Sequence, residues 1–413
     1  MTENIMPISQ ADRTMDFKKT FGLWIAANVV ITTVLTGMLF ASQITLMECL
    51  SAVLIGSLIG SIPLALTAKM GTRTGLSTMV VSRGAFGQRG AMIPAVINAF
   101  VLVAWSWIQA YLAGVSLNHA VHYLFGYGNI NLFVILTELV VITIAIRGHK
   151  LIENLEKHIA NLMLVMSFVI FAVIFSKFDI HSIISQSVSD NPDISFIVAF
   201  DIVVATAFSW MSSVCDYNRH CKTESASMKG TYLGYTLATL VAMMLGYIVA
   251  IFSTLNGGEM TYDPTVLLSN SGFGWFGFVA AIIVFLSVVS TNVMALYSAT
   301  YSILAVKSDL NYRYIILALG IVITAGALLK ESLMTSFFDF ILLISTLFIP
   351  LFAIMLTDFF VIKKGNYDGH EICNNTTKQY NYYHGFNLVA IASYLISAIF
   401  AYYFTYISPL AVG

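Results

Sequence analysis

The sequence predicts an all-α polytopic membrane protein, two inverted halves of five helices followed by one additional C-terminal helix, and three observations carry that prediction. Of its 413 residues 58% are hydrophobic and only 10% charged, whereas a soluble domain carries about 25% charged residues; mean hydropathy is +0.84. The apolar residues gather in eleven stretches, at about 20–42, 45–67, 91–122, 131–147, 156–176, 194–214, 230–255, 272–305, 313–329, 334–362 and 386–405, each at least as long as the roughly 17 residues that a helix needs to cross a bilayer. Threaded with the N-terminus inside, these spans leave eighteen of the twenty Lys and Arg on the cytoplasmic side, with Lys177 and Lys330 outside. That is the bias that the positive-inside rule expects. The apolar runs do not alternate with polar residues as the strands of a membrane barrel do.

Residues 1–19 form a polar tail with no apolar core, so they read as cytoplasmic rather than as a cleaved leader, and span 1 acts as the insertion signal. Spans 1–5 fill residues 20–176. A polar, Asp- and Ser-containing stretch at 177–193 reads as an external connecting loop, and spans 6–10 occupy 194–362. An odd number of spans per half starts the second half from the opposite side, so two similar halves are related as inverted repeats. The third span of each half, 91–122 and 272–305, is the long one. A basic, Asn- and Tyr-rich cytoplasmic loop at 363–385 leads into span 11, and 386–413 carries that span and an external C-terminus.

Polar residues inside the spans mark where the chemistry should lie, because backbone freed within a membrane must line a cavity filled by water, ion or ligand. Span 1 holds Asn28, Thr32, Thr33 and Thr36; span 6 holds Thr206, Ser209, Trp210, Ser212 and Ser213; span 8 holds Ser287, Ser290, Thr291 and Asn292. Ser and Thr also serve as interhelical glue, worth about 0.6 kcal/mol each. The polar first spans of both halves fit discontinuous helices whose freed carbonyls face a central site. In span 3, Trp105 and Gln109 are four residues apart, hence on one helix face. An indole beside a carboxamide suits a flat heterocycle, stacking on its face and bonding its edge. Phe208 or Trp210 offers a second aromatic wall, and only one of them can face a ligand on an unbroken helix. Two acids lie inside apolar runs: Glu138 reads as structural, and Asp201 as a proton or cation contact or a structural pair.

Several function classes drop out. No zinc-protease, serine-hydrolase or phosphate-loop motif is present, and the eight His are scattered, so the chain does not read as an enzyme. The four cysteines sit apart and suggest neither disulfides nor a metal site. No basic patch suggests nucleic acid, and no cofactor is expected. The expected partners are a small heterocyclic solute, a cation and lipid, in a cell (inner) membrane.

Six stretches, in order along the chain, resemble the nucleobase:cation symporter-1 family of cytosine permeases and hydantoin transporters: Trp24 to Gly37 (WIAANVVITTVLTG), Gly71 to Gly90, WSWIQ in span 3, SWMSSVCDYNR at 209–219, STNVMALYSATY at 290–301 and IPLFAIMLTDFF at 349–360. The resemblance implies the leucine-transporter (LeuT) fold with broken helices 1 and 6 and alternating access. It implies that Trp105, Gln109, Asn292 and one of Phe208 and Trp210 contact substrate, with Asn28 from span 1 beside them. Sodium would be bound by Ala26 and Val29 of span 1 with Ser287, Ser290 and Thr291 of span 8, hard oxygen ligands suited to a monovalent ion. Family members usually have twelve spans; this chain has eleven. Asp201 matches nothing in the family pattern, so proton coupling stays beside sodium coupling. The function expected is secondary active uptake of cytosine, hydroxymethylpyrimidine or a similar base with sodium or a proton, the alternatives being an amino-acid or amine symporter on this fold and a non-transporting sensor.

Overall fold

A computed structural model describes residues 5–408 apart from 178–180, 182–183, 185–187, 190–191, 256–273, 331, 333–334, 375 and 377. Among the described residues the regular elements are helices, and each expected apolar stretch falls on one. The first is split into α1 (Phe17–Asn28) and α2 (Ile31–Leu39), which meet at 55°. Next come α3 (Leu46–Thr74), α4 (Thr78–Phe86), α5 (Met92–Phe125), α6 (Ile130–Ala145) and α7 (His149–Lys177). The second half holds α8 (Phe196–Met211), a short α9 (Val214–Asn218), α10 (Glu224–Leu255), α11 (Gly274–Val306), α12 (Tyr312–Ala327) and α13 (Phe337–Leu356). A short α14 (Gly369–Asn374) and the final α15 (Leu388–Tyr406) follow. By length and apolarity α3, α5, α10, α11, α13, α15 and the bent pair α1–α2 qualify as membrane spans, while α6, α8, α12 and Asn161–Ser176 of α7 are shorter apolar helices. The expected external loop at 177–193, the first two residues of the eighth stretch and the last five residues of the chain lie wholly or largely outside the described residues.

The packing partners of the two halves are exchanged as an inverted repeat requires. Helix α1 lies on α10 and α8 on α3; α1 touches α7 and α8 touches α13. The long α5 and α11 run together through the middle, α5 reaching α12 and α11 reaching α6. Small residues make two of these approaches possible. Gly56 and Gly60 of α3 face Val203 and Ala207 of α8, while Gly230 and Gly234 of α10 face Thr20, Phe21 and Trp24 of α1. A Cβ on Gly60 would stand 2.9 Å from that of Ala207, and one on Gly234 would stand 2.7 Å from the Phe21 carbonyl oxygen. Each half thus uses glycines four apart to bring a broken helix against its neighbour, the spacing that lets membrane helices close to backbone contact.

The basic end is laced shut by segments to which sequence assigned no structure. Helix α4, buried along its whole length, tucks under the bundle between α3 and α5. Residues before α1 thread beside it: Ile8 N–H donates to the Gly75 carbonyl (2.9 Å) and Lys222 N–H to that of Met15 (2.8 Å). The Arg13 guanidinium donates to the Thr72 carbonyl at 2.6 Å. Arg73 at the end of α3 makes a two-pronged pair with Glu224 at the start of α10, at 2.7 and 2.8 Å, and Lys69 joins it at 3.4 Å.

Candidate ligand cavity at the helix breaks

Both discontinuities expected from sequence are present, and one cavity lies between them. Helix α1 stops because Val29 and Val30 leave helical geometry, at φ −82°, ψ 71° and φ −134°, ψ 158°. A helix end leaves its last four carbonyls without intrahelical partners, and here those ends are buried in the bundle rather than in water. Helix α8 stops at Ser212 and Ser213, restarting as α9. The cavity between them is lined by residues of four spans. Span 1 contributes Asn28, Thr32, Thr33 and Thr36, span 3 Trp105 and Gln109, and span 8 Thr291 and Ala295. Span 6 contributes Thr206, Ser209, Trp210, Ser212 and Ser213. No charged side chain is among the lining residues.

The two indoles line the cavity and are each held by their N–H group. Trp105 Nε1 donates to Ser209 Oγ at 2.8 Å, and its ring meets Phe340 and Phe337 edge-on, with centroids 5.1 and 6.1 Å away. Trp210 Nε1 donates to Asn28 Oδ1 at 3.0 Å and stands edge-on to the fully buried Trp24, 5.6 Å between centroids. Gln109 differs from both. It is 4% exposed, lines the cavity, and its Oε1 has no hydrogen-bond partner. A buried acceptor left bare costs about 1–3 kcal/mol, so this carboxamide is set to receive a donor from whatever fills the space.

Three of the residues singled out in the sequence are placed differently. Phe208 does not line the cavity while Trp210 does: the break comes after both, and two residues on a continuous helix point about 200° apart. Asn292 is fully buried off the cavity and donates through Nδ2 to Glu138 Oε2 at 2.9 Å, being one position around α11 from Thr291. Asn28 lines the space, but its amide is largely committed. Its Oδ1 accepts from both Trp210 and Thr33 (3.1 Å), and its Nδ2 donates to Thr239 Oγ1 (2.7 Å). Asn28 therefore fixes Trp210 and ties α1 across its break to α2 and to α10, a role that a residue list cannot reveal.

The residues proposed for a cation flank the first break. Ser287 Oγ donates to the Val29 carbonyl at 3.3 Å, and Thr291, one turn on, donates to the Ser287 carbonyl at 3.1 Å. Ala26 lies in the last turn of α1, and Ser290 is fully buried on the facing helix. Asp201 sits two turns before Ser209 on α8, part-buried and outside the cavity. Among the described residues no cluster of three His, Cys, Asp or Glu is placed to hold a metal.

A family model described as a permease for cytosine/purines, uracil, thiamine, allantoin matches residues 7–412. The chain belongs to this permease family. Its relatives include the Bacillus subtilis protein named "Putative purine-cytosine permease YxlA", 28% identical over 384 residues that cover 87% of this permease and 79% of that one. The hydantoin permease of Microbacterium maritypicum is 23% identical, over 95% of this chain and 82% of its own. Among solved structures, Mhp1, a nucleobase-cation-symport-1 family transporter in a closed conformation with bromovinylhydantoin bound, superposes with a TM-score of 0.84 at 18% identity, covering 97% of this chain and 93% of that one. The fold of this permease is the LeuT-like five-plus-five inverted repeat with a helix added at the end.

Proposed function

We propose that this permease is a secondary active symporter that carries an uncharged, flat heterocycle, a nucleobase or a close analogue, through the cavity at the helix breaks by alternating access. The observation that carries the reading is the chemistry of that cavity: two indoles with fixed rings, a carboxamide with an unspent acceptor and no formal charge. Aromatic faces suit any planar base, and a carboxamide pairs with an edge that presents adjacent donor and acceptor atoms. An amino acid would bring a carboxylate and an ammonium group into a space with no countercharge, at a desolvation cost of several kcal/mol. The hydantoin bound to the Mhp1 relative and the names of the curated relatives agree with a base-like solute.

Coupling on this reading comes from a cation between the two bundles. Freed carbonyls of Ala26 and Val29 and the oxygens of Ser287, Ser290 and Thr291 supply hard ligands for sodium, and a bound ion would hold α1 against α11 in the state that receives substrate. Coupling requires each ligand to favour the same state of the protein. The basic end, with the residues preceding span 1, lies in the cytoplasm, the permease sits in the cell (inner) membrane, and residues 177–193 connect the halves outside. The testing experiment is uptake into proteoliposomes of radiolabelled cytosine, uracil, hydantoin, allantoin and hydroxymethylpyrimidine, with a sodium gradient, a proton gradient or neither. Uptake of at least one base that depends on a sodium gradient is the expected result. Transport driven by a proton gradient alone would remove the sodium role from these five residues, and no transport of any base would refute the substrate class.

A further inference from the structure

The cavity does not use one fully buried acid of the bundle. Glu138, on α6, and Asn292, on α11, are both fully buried. One hydrogen bond joins them, from Asn292 Nδ2 to Glu138 Oε2 at 2.9 Å, and the other oxygen of each, Glu138 Oε1 and Asn292 Oδ1, has no partner. Among the described residues no ion pair to this carboxyl group is found: Oε2 takes the Asn292 bond and Oε1 takes none. Of the titratable side chains on the helices around it, Tyr312 of α12 donates to the Ala145 carbonyl, two turns along α6, and Tyr297 of α11 accepts from Arg219. His119 and His122 of α5 lie in its last two turns.

An ionised carboxylate has only acceptors to offer, and so has the carbonyl of an asparagine amide. As an anion, Glu138 would be a desolvated charge with one neutral donor, beside two bare acceptors, which costs several kcal/mol. One proton on Oε1 supplies the missing donor. A carboxylic acid and a carboxamide then close a ring of two hydrogen bonds, Nδ2–H to Oε2 and Oε1–H to Oδ1, and both bare oxygens are satisfied by a single hydrogen.

We infer that Glu138 carries its proton and forms a two-bond acid–amide clasp with Asn292, which makes it a positioning residue for α11 and for the Thr291 face next to it. Glu138 is not among the residues lining the ligand cavity, and on this inference its proton is a structural element that stays with the protein. The clasp secures α11 to α6 one position around the helix from Thr291, and so sets where Ser287 and Thr291 stand relative to Val29. The functional consequence rests on the cation reading above; the clasp itself does not.

The test uses the full-length permease with Glu138→Gln and Glu138→Leu. Glutamine reproduces a neutral acid, with one acceptor and one donor towards Asn292, and leucine reproduces neither. The infrared carbonyl stretch of a protonated carboxyl group should be present in the wild type at neutral pH and absent from Glu138→Gln. In proteoliposomes Glu138→Gln should keep wild-type uptake and its pH profile, while Glu138→Leu should raise the sodium concentration for half-maximal uptake at least several-fold. Absence of that infrared band, or loss of uptake or a changed pH profile in Glu138→Gln, would overturn the clasp, the last two pointing to an ionised or proton-exchanging group. If wild-type uptake proves independent of sodium, the cation reading fails, and the infrared band with the Gln-versus-Leu contrast in thermal stability still decides the clasp.

Discussion

In the sequence Asn28 is one more polar residue expected near a ligand, and in the structure its amide is spent on three neighbours. Its effect on binding should therefore pass through Trp210. Replacing Asn28 by Leu leaves the Trp210 N–H and the Thr33 and Thr239 hydroxyls to find other partners, and lost buried hydrogen bonds cost about 1–3 kcal/mol each. Base affinity in equilibrium binding should fall by roughly five- to hundred-fold on the same principle, whereas Asn28→Asp, which keeps the acceptor for both donors, should retain much of it. An Asn28→Leu permease with unaltered affinity would show that the Trp210 ring does not depend on this bond. Gln109 makes a contrasting prediction. Because its Oε1 is bare in the unliganded cavity, Gln109→Leu should weaken binding of bases that present an N–H edge while leaving thermal stability unchanged or raised; a large loss of stability would mean that the amide serves the fold instead.

Among the elements, what sequence could and could not disclose follows from how each is stabilised. Long apolar runs announce themselves by length, and the split of the first span was legible because Asn28, Thr32 and Thr33 stand where lipid tolerates no free polar backbone. The break in span 6 was placed at the polar run Thr206–Ser213 and falls at its far end, Ser212–Ser213, so Trp210 and not Phe208 faces the cavity. Helix α4 escaped notice because it is nine residues long and buried on every side, which leaves neither span length nor an apolar stripe to detect. The lacing of residues 5–15 beneath the bundle escaped for another reason: its bonds, backbone and side-chain alike, join residues far apart in sequence, as Ile8 with Gly75 and Arg13 with Cys221. Trp105 and Gln109 were legible together through their four-residue spacing, and the pairing of Asn292 with Glu138 was not, since 154 residues separate them. The paired glycines give a prediction at this scale. Gly60→Val and Gly234→Val force a side chain into contacts already under 3 Å, and overpacking of this kind costs about 1–3 kcal/mol. Both should lower the thermal unfolding temperature and uptake together, and equal tolerance of both substitutions would argue against the close approach.

Across the whole molecule, two pseudo-symmetric halves place their broken helices side by side, so that one space gathers freed carbonyls, hydroxyls and aromatic faces from spans 1, 3, 6 and 8. The basic end is held by the half-exposed Arg73–Glu224 pair, which should add less than about 1 kcal/mol to stability. Its weight lies in the balance between closed and open ends, where a bias of that size changes populations several-fold. Glu224→Gln should leave the fold intact and increase the reactivity of a cysteine introduced at Ser213 towards a membrane-impermeant thiol reagent applied from the basic side; unchanged reactivity would remove the pair from gating. The central claim is that a planar base lies against Trp105 in the uncharged cavity. Equilibrium binding of the transported base to purified wild type and Trp105→Ala tests it most directly: loss of base–aromatic stacking, worth about 1–3 kcal/mol, predicts affinity about five- to 150-fold weaker in a variant that remains folded, and equal affinity in the two proteins would contradict the account.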